Sequence, residues 1–168
     1  MTYIYDIFSK KLTEVAPFTV DLLLPSGAEN LNYVLYTDES PYKMQREWLD
    51  RLPFDIYSVN VHTGAKRLIG RSYRTAPKWS VNGKWAVMYD PIAQVWNKFD
   101  GATGKVVNIS DAIGYPMFME SYDKPAPAPA YGIAGWTADG NNVFLYDAYD
   151  WWKIDLTGER QPECLTKG

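Results

Sequence analysis

The sequence predicts an all-β chain, a partial β-propeller of about three and a half four-stranded antiparallel blades, on three observations. The first is composition. Seven Trp, thirteen Tyr and six Phe make up 15% of the 168 residues, beside 12 Gly and 11 Pro. That mixture suits short strands and tight turns rather than helices. The second is an internal repeat. Trp79-Ser80-Val81-Asn82-Gly83-Lys84-Trp85-Ala86-Val87-Met88-Tyr89-Asp90 recurs as Trp136-Thr137-Ala138-Asp139-Gly140-Asn141-Asn142-Val143-Phe144-Leu145-Tyr146-Asp147, with Trp, Gly, Tyr and Asp at one constant offset. Each copy reads as a strand, a polar turn closed by Asn-Gly or Asp-Gly, and an apolar second strand. The third is a pattern that follows each hairpin, Tyr57 to Gly64, Trp96 to Gly104 and Trp152 to Gly158, each closing on Thr-Gly or Ala-Thr-Gly before another short strand.

Chaining the two hairpins gives four antiparallel strands per repeat, and the elements follow in order. Residues 1–15 hold the last two strands of one blade. Tyr3 to Lys10 is a worn copy of the second pattern, with Lys10 where the glycine belongs. Residues 18–70 form the next blade, whose first hairpin, around Pro25-Ser26-Gly27 and Leu31 to Tyr36, keeps the pattern without the Trp. Residues 73–110 and 131–167 form two more. Two insertions interrupt the repeat. Residues 41–53 lie between the second and third strands of their blade and read as a short helix or a long hairpin tip. Residues 112–130 end in Pro125-Ala126-Pro127-Ala128-Pro129-Ala130, where alternating prolines favour an extended polyproline conformation. Both are expected to be surface loops. The whole chain is expected to be one partial propeller domain.

Several function classes are excluded. With 17 Lys+Arg against 20 Asp+Glu well mixed and a net charge of −3, no basic face offers itself to nucleic acid. No apolar run is long enough to span a bilayer, and Met1 to Asp6 lacks the basic-then-apolar layout of a secretory signal. The single cysteine, Cys164, has no internal disulfide partner and no metal-ligand companions. No cofactor or metal is expected. His62, the one histidine, sits at a turn just before Thr63-Gly64, where an exposed polar residue is ordinary. The acidic group Asp147, Asp150 and Asp155 brackets a strand whose turns need side chains that bond their own backbone, and Asp90 repeats the position of Asp147 one blade earlier. Recurrence of Trp79 and Trp136 at one repeat position points to packing between blades. Trp48 lies outside the repeat, so Arg46, Glu47 and Trp48 of the first insertion are the candidates for substrate or partner contact.

Tyr131-Gly132-Ile133-Ala134-Gly135-Trp136-Thr137, followed by Tyr146 to Asp155, resembles the propeller of prolyl oligopeptidase-family serine peptidases of the dipeptidyl-peptidase-like, Bacteroides type. Pro77-Lys78-Trp79-Ser80 with Gly83-Lys84 is similar to that family's blade turn, with Val81-Asn82 where Pro-Asp is usual. The resemblance implies a non-catalytic propeller that covers or gates the active site of a separate C-terminal α/β-hydrolase domain. It also implies a peptide substrate in the parent protein and a periplasmic or extracellular location. This sequence has no Gly-x-Ser-x-Gly nucleophile elbow and no adjacent Glu-Glu pair, so no catalytic residue is assigned to it. A stand-alone propeller that binds protein or glycan is the alternative. A propeller lyase is disfavoured, because such sites gather several histidines around a metal. Open first and last blades further predict self-association.

Overall fold

Short runs of alternating apolar residues punctuated by Asx-Gly and Thr-Gly turns leave the backbone one economical solution, the antiparallel meander. The computed structural model, which describes residues 2–17, 20, 22–26, 32–49 and 51–166, shows four such sheets in chain order. The first is a hairpin of β1 (Thr2–Asp6) and β2 (Lys11–Ala16). The second is β3 (Leu22–Leu24), β4 (Tyr33–Asp38), β5 (Phe54–Asn60) and β6 (Lys66–Tyr73). The third is β7 (Lys78–Trp79), β8 (Trp85–Asp90), β9 (Val95–Asp100) and β10 (Val106–Asn108). The fourth is β11 (Ile133–Trp136), β12 (Asn142–Tyr146), β13 (Trp151–Asp155) and β14 (Glu163–Cys164). In each, sequence neighbours pair antiparallel, so each complete sheet is a four-stranded propeller blade and the hairpin is half of one. In the first-hairpin motif of the second blade, Gly27 and Leu31 lie outside the described residues.

The repeat is reproduced atom for atom in its turns. Asn82 Oδ1 accepts the Ser80 hydroxyl at 2.7 Å and the Lys84 amide at 3.0 Å, while the Gly83 amide donates to Ser80 O. One blade later Asp139 Oδ1 accepts the Thr137 hydroxyl at 2.5 Å and the Asn141 amide at 2.9 Å, and the Gly140 amide donates to Thr137 O. The second hairpins need a left-handed residue. Gly64, Gly104 and Gly158 supply it at φ 73, 70 and 85°, and in the half blade Lys10 takes φ 54° in their place. The pairing register also corrects one alignment. Tyr89 faces Trp96 and Tyr146 faces Trp151, so the counterpart of Trp96 is Trp151 and not Trp152.

The chain packs as two compact units, residues 1–76 with 101–104, and residues 77–100 with 105–168. In the first, Val15 and Ala16 of β2 pack against Val34 and Tyr36 of β4 and Val59 of β5, all at most 4% exposed. In the second, Val87, Tyr89 and Trp96 form one side of the core, and Val143, Leu145 and Ile154 form the other. These are two sheet faces meeting through alternate residues. The 112–130 insertion is more than a surface loop, because Ile113 and Met117 are buried in that core. It folds back on itself through a Phe118–Ala130 bridge and a Met119 amide bond to Pro129 O, and Tyr89 OH donates to Ala128 O.

Candidate interaction site

Between β4 and β5 the first insertion begins as a 3-10 helix, Ser40–Gln45. Asp38 at the end of β4 accepts the Ser40 amide at 2.8 Å, and Pro41, with no amide hydrogen to lose, sits in the first turn. The helix is tied to the sheet by one side chain. Tyr42 OH donates to Asp55 Oδ1 at 2.5 Å, and the same oxygen accepts the Ser72 amide at 3.1 Å. Burial, and then the carboxylate it donates to, pushes the Tyr42 hydroxyl above the usual tyrosine range. At the far end, Trp48 and Leu49 amides both donate to Gln45 O, and Leu52 is buried as the chain enters β5.

Held at both ends, the insertion turns its large apolar side chains to solvent, with Met44 91% and Trp48 83% exposed. Arg46 lies 3.9 Å from Glu39, a loose surface pair, and Glu47 is exposed beside it. Arg46, Glu47 and Trp48 are therefore brought together on one tethered turn. Met44 is the residue that sequence reasoning passed over. A methionine between lysine and glutamine carries no periodic signal, and its exposure in the same insertion as Trp48 is what marks it. The arrangement offers two apolar anchors ringed by mixed charge, which is contact chemistry rather than bond-breaking chemistry.

The remaining candidates resolve into structural roles. His62, with Asp6 and Ser9, lines a cavity of about 250 Å³, yet the trio is not wired as a triad. The Ser9 hydroxyl donates to Asp6 Oδ2 at 2.7 Å, and His62 Nε2 lies 3.3 Å from Asn32 Oδ1. A serine nucleophile needs its hydroxyl on the imidazole instead. Asp147 accepts the amides of Tyr149 and Asp150 at 2.7 and 2.6 Å and the Trp152 indole at 2.7 Å. Burial alone would raise its pKa, but these three donors hold the carboxyl below the usual range. Asp155 accepts from Thr157, Glu159 and Arg160 at the other end of β13, about 17 Å along the strand from Asp150. The carboxylates do not converge. Trp79 is half-buried with its ring edge-on to Phe99 at 6.1 Å, and Trp136 is half-buried against the core of the second unit.

No protein-family model matches the chain, and no curated protein matches it. Among solved structures it is similar to the β-propeller domain of the Trilobed protease from Pyrococcus furiosus. There the identity is 16%, the coverage 89% of this chain and 42% of that one, and the TM-score 0.47. It is also similar to TolB from Acinetobacter baumannii, at 15% identity over 98% of this chain and 37% of that one, with a TM-score of 0.43. The chain thus spans less than half the length of either. Among the described residues no helix is long and apolar enough to cross a membrane.

Proposed function

We propose that this chain is the non-catalytic propeller portion of a prolyl oligopeptidase-like serine peptidase, with the tethered turn that carries Arg46, Glu47 and Trp48 contacting the peptide substrate or the hydrolase domain. The observation that carries the reading is a tryptophan 83% exposed on a turn clamped by the Tyr42–Asp55 bond. An aromatic held out in water at fixed geometry loses little conformational freedom on binding. The blade-turn motif Trp79-Ser80 with Gly83-Lys84 supports the family choice. Chemistry then belongs to a separate α/β-hydrolase domain, the propeller admits or excludes peptides, and the protein works in the periplasm or outside the cell without a cofactor.

The test is peptide hydrolysis by this chain alone, together with the coding sequence on either side of it. The reading predicts no turnover of prolyl peptides and a neighbouring Gly-x-Ser-x-Gly followed by Asp and His. Turnover by the isolated chain would contradict it. The same exposed Met44 and Trp48 also favour a second reading, a binding module for protein or glycan. That reading predicts no hydrolase domain beside the blades, and a Trp48→Ala change that abolishes capture of the partner.

A further inference from the structure

Asn82-Gly83 is the one Asn-Gly pair of the sequence, and every other asparagine is followed by a residue with a side chain. Such a pair is chemically labile, since a glycine amide reaches the carboxamide before it with no β-carbon in the way. The structure ties both reacting groups down. Asn82 Oδ1 accepts from the Ser80 hydroxyl and the Lys84 amide, and the Lys84 amide can only donate, so this atom is the oxygen. Nδ2 therefore faces the first turn of the next sheet, where it donates to Asp139 O at 2.8 Å and to Asn141 Oδ1 at 3.3 Å. The Gly83 amide is itself bound to Ser80 O at 2.8 Å, and Gly83 is buried. The sister turn shows what each half of the carboxamide does. Asp139 stands at the same repeat position and makes both Oδ1 bonds of its turn as a carboxylate. A carboxylate thus suffices within a turn, and only the bonds from Nδ2 to the following sheet require the amide.

We propose that Asn82 is a site of spontaneous deamidation, held in check by its contact with the 139–141 turn, and that the product cannot remake that contact. In the first step Gly83 N loses its proton and bonds to Asn82 Cγ, the Cγ–Nδ2 bond breaks, and Nδ2 leaves as ammonia with that proton. Solvent water then opens the succinimide at one of its two carbonyls, leaving aspartate or β-linked isoaspartate with no change of oxidation state. Ring closure swings Cγ onto Gly83 N, which breaks the Nδ2 bonds to the next turn and the Gly83 bond to Ser80 O together. The reaction therefore waits on a local opening of the seam between the third and fourth sheets. In the aspartate product an oxygen faces the Asp139 carbonyl, an acceptor with no proton to offer. In the isoaspartate product the tight turn also carries an extra backbone carbon. The modification is one-way and leaves the seam loosened. It is independent of the peptidase reading, and each stands if the other fails.

Peptide mass mapping of the whole chain, warmed in neutral buffer and sampled over time, reads aspartate and isoaspartate at position 82. The folded chain is expected to deamidate there at least about tenfold more slowly than the same chain in urea, because the bonds that hold both reacting groups must open first. Asn141→Ala removes one acceptor of Nδ2 and should speed the folded-state reaction about threefold or more. Circular dichroism checks that it folds. Gly140→Ala, whose β-carbon would lie 2.7 Å from Asn82 Cγ, replaces it should it unfold. Gly64→Ala strains a turn of the first unit and should leave the rate at Asn82 unchanged. Asn82→Asp carries the product from the start and should unfold at a lower urea concentration than the wild type. Equal rates in the folded and unfolded chain overturn the proposal, as does an Asn82→Asp chain as stable as the wild type. So does a Gly64→Ala chain that deamidates as fast as the seam variant, a result that marks global unfolding as the route.

Discussion

Replacing Asp147 by alanine removes an acceptor that two backbone amides and an indole share, at 2.6 to 2.7 Å, from a residue 8% exposed. Hydrogen bonds to a charged group contribute about 1.5–3 kcal/mol each, and a buried donor left unpaired costs about 1–3 kcal/mol. The loop tip beside Asp147 lets water reach part of the vacated site, since Ala148 and Tyr149 are exposed. The expected loss is therefore about 3 kcal/mol rather than the full sum. Asp147→Asn keeps one oxygen for the two amides but turns an N–H toward the Trp152 indole. It should cost about half as much, and Trp152→Phe should relieve it, giving a coupling of about 1 kcal/mol in a double-mutant cycle. Urea unfolding followed by tryptophan fluorescence measures the wild type, the three single variants and the double variant. The folded carboxyl titrates below 3.8, so its contribution is present above that value and fades as the pH falls through the lowered one. The acid limb of stability should accordingly flatten in Asp147→Asn. An alanine variant within about 0.5 kcal/mol of wild type, the scatter of ordinary surface changes, would refute the reasoning.

Lys10 pays for a left-handed conformation that glycine adopts freely in the three equivalent turns; Lys10→Gly should stabilise the chain by about 0.5–1 kcal/mol, read as a higher urea midpoint, and an unchanged midpoint counts against the equivalence. Gly140→Ala and Gly64→Ala share a positive φ but differ in surroundings. A β-carbon at 140 meets the Asn82 backbone nitrogen at 2.8 Å, while at 64 the nearest atom is a Thr13 methyl at 3.4 Å. The first should cost about 3 kcal/mol and the second about 1 kcal/mol in the same assay, and equal costs would show that the two turns do not interlock as described. Tyr36 and Tyr89, buried in the two cores, have their hydroxyls pushed up to about 12, chiefly by burial. The stability this confers is intact below pH 10 and is lost as pH rises through 12, so unfolding should accompany the tyrosinate absorbance change, and ionisation of all tyrosines near pH 10 without unfolding would contradict it.

Much of the fold was legible because the repeat wrote it several times. The Trp-x-x-Asx-Gly turns, the Thr-Gly turns and the Tyr-Asp strand ends are local chemistry, and local chemistry survives without knowledge of the whole. Lys10 was recognised as a stand-in for glycine from alignment alone, and its φ of 54° agrees. Alignment failed where two tryptophans adjoin. Trp151 and Trp152 are equivalent in composition, and only the strand register, with Tyr146 opposite Trp151, decides between them. The 112–130 segment misled for a different reason. Its prolines announce an extended loop, but the burial of Ile113 and Met117 depends on a sheet face distant in sequence, which no local pattern encodes. At the tethered turn, Trp48 stood out by lying outside the repeat. The Tyr42–Asp55–Ser72 clamp that aims it did not, since it joins three residues of unremarkable spacing.

The account rests on one four-stranded blade repeated along the chain, with a two-stranded sheet ahead of it among the described residues, and amide hydrogen exchange tests that most directly. In the equivalent sheets the Val61 amide donates to Asn32 O and the Leu156 amide to Asn141 O, so by strand alternation Val59, Phe99 and Ile154 point their amides at the second strand of their blade. Those three amides should exchange slowly, and that of Tyr5, at the same position in the half blade, should exchange as fast as an open strand edge. Equal protection at Tyr5, or fast exchange at Val59, Phe99 and Ile154, would contradict the repeated-blade architecture.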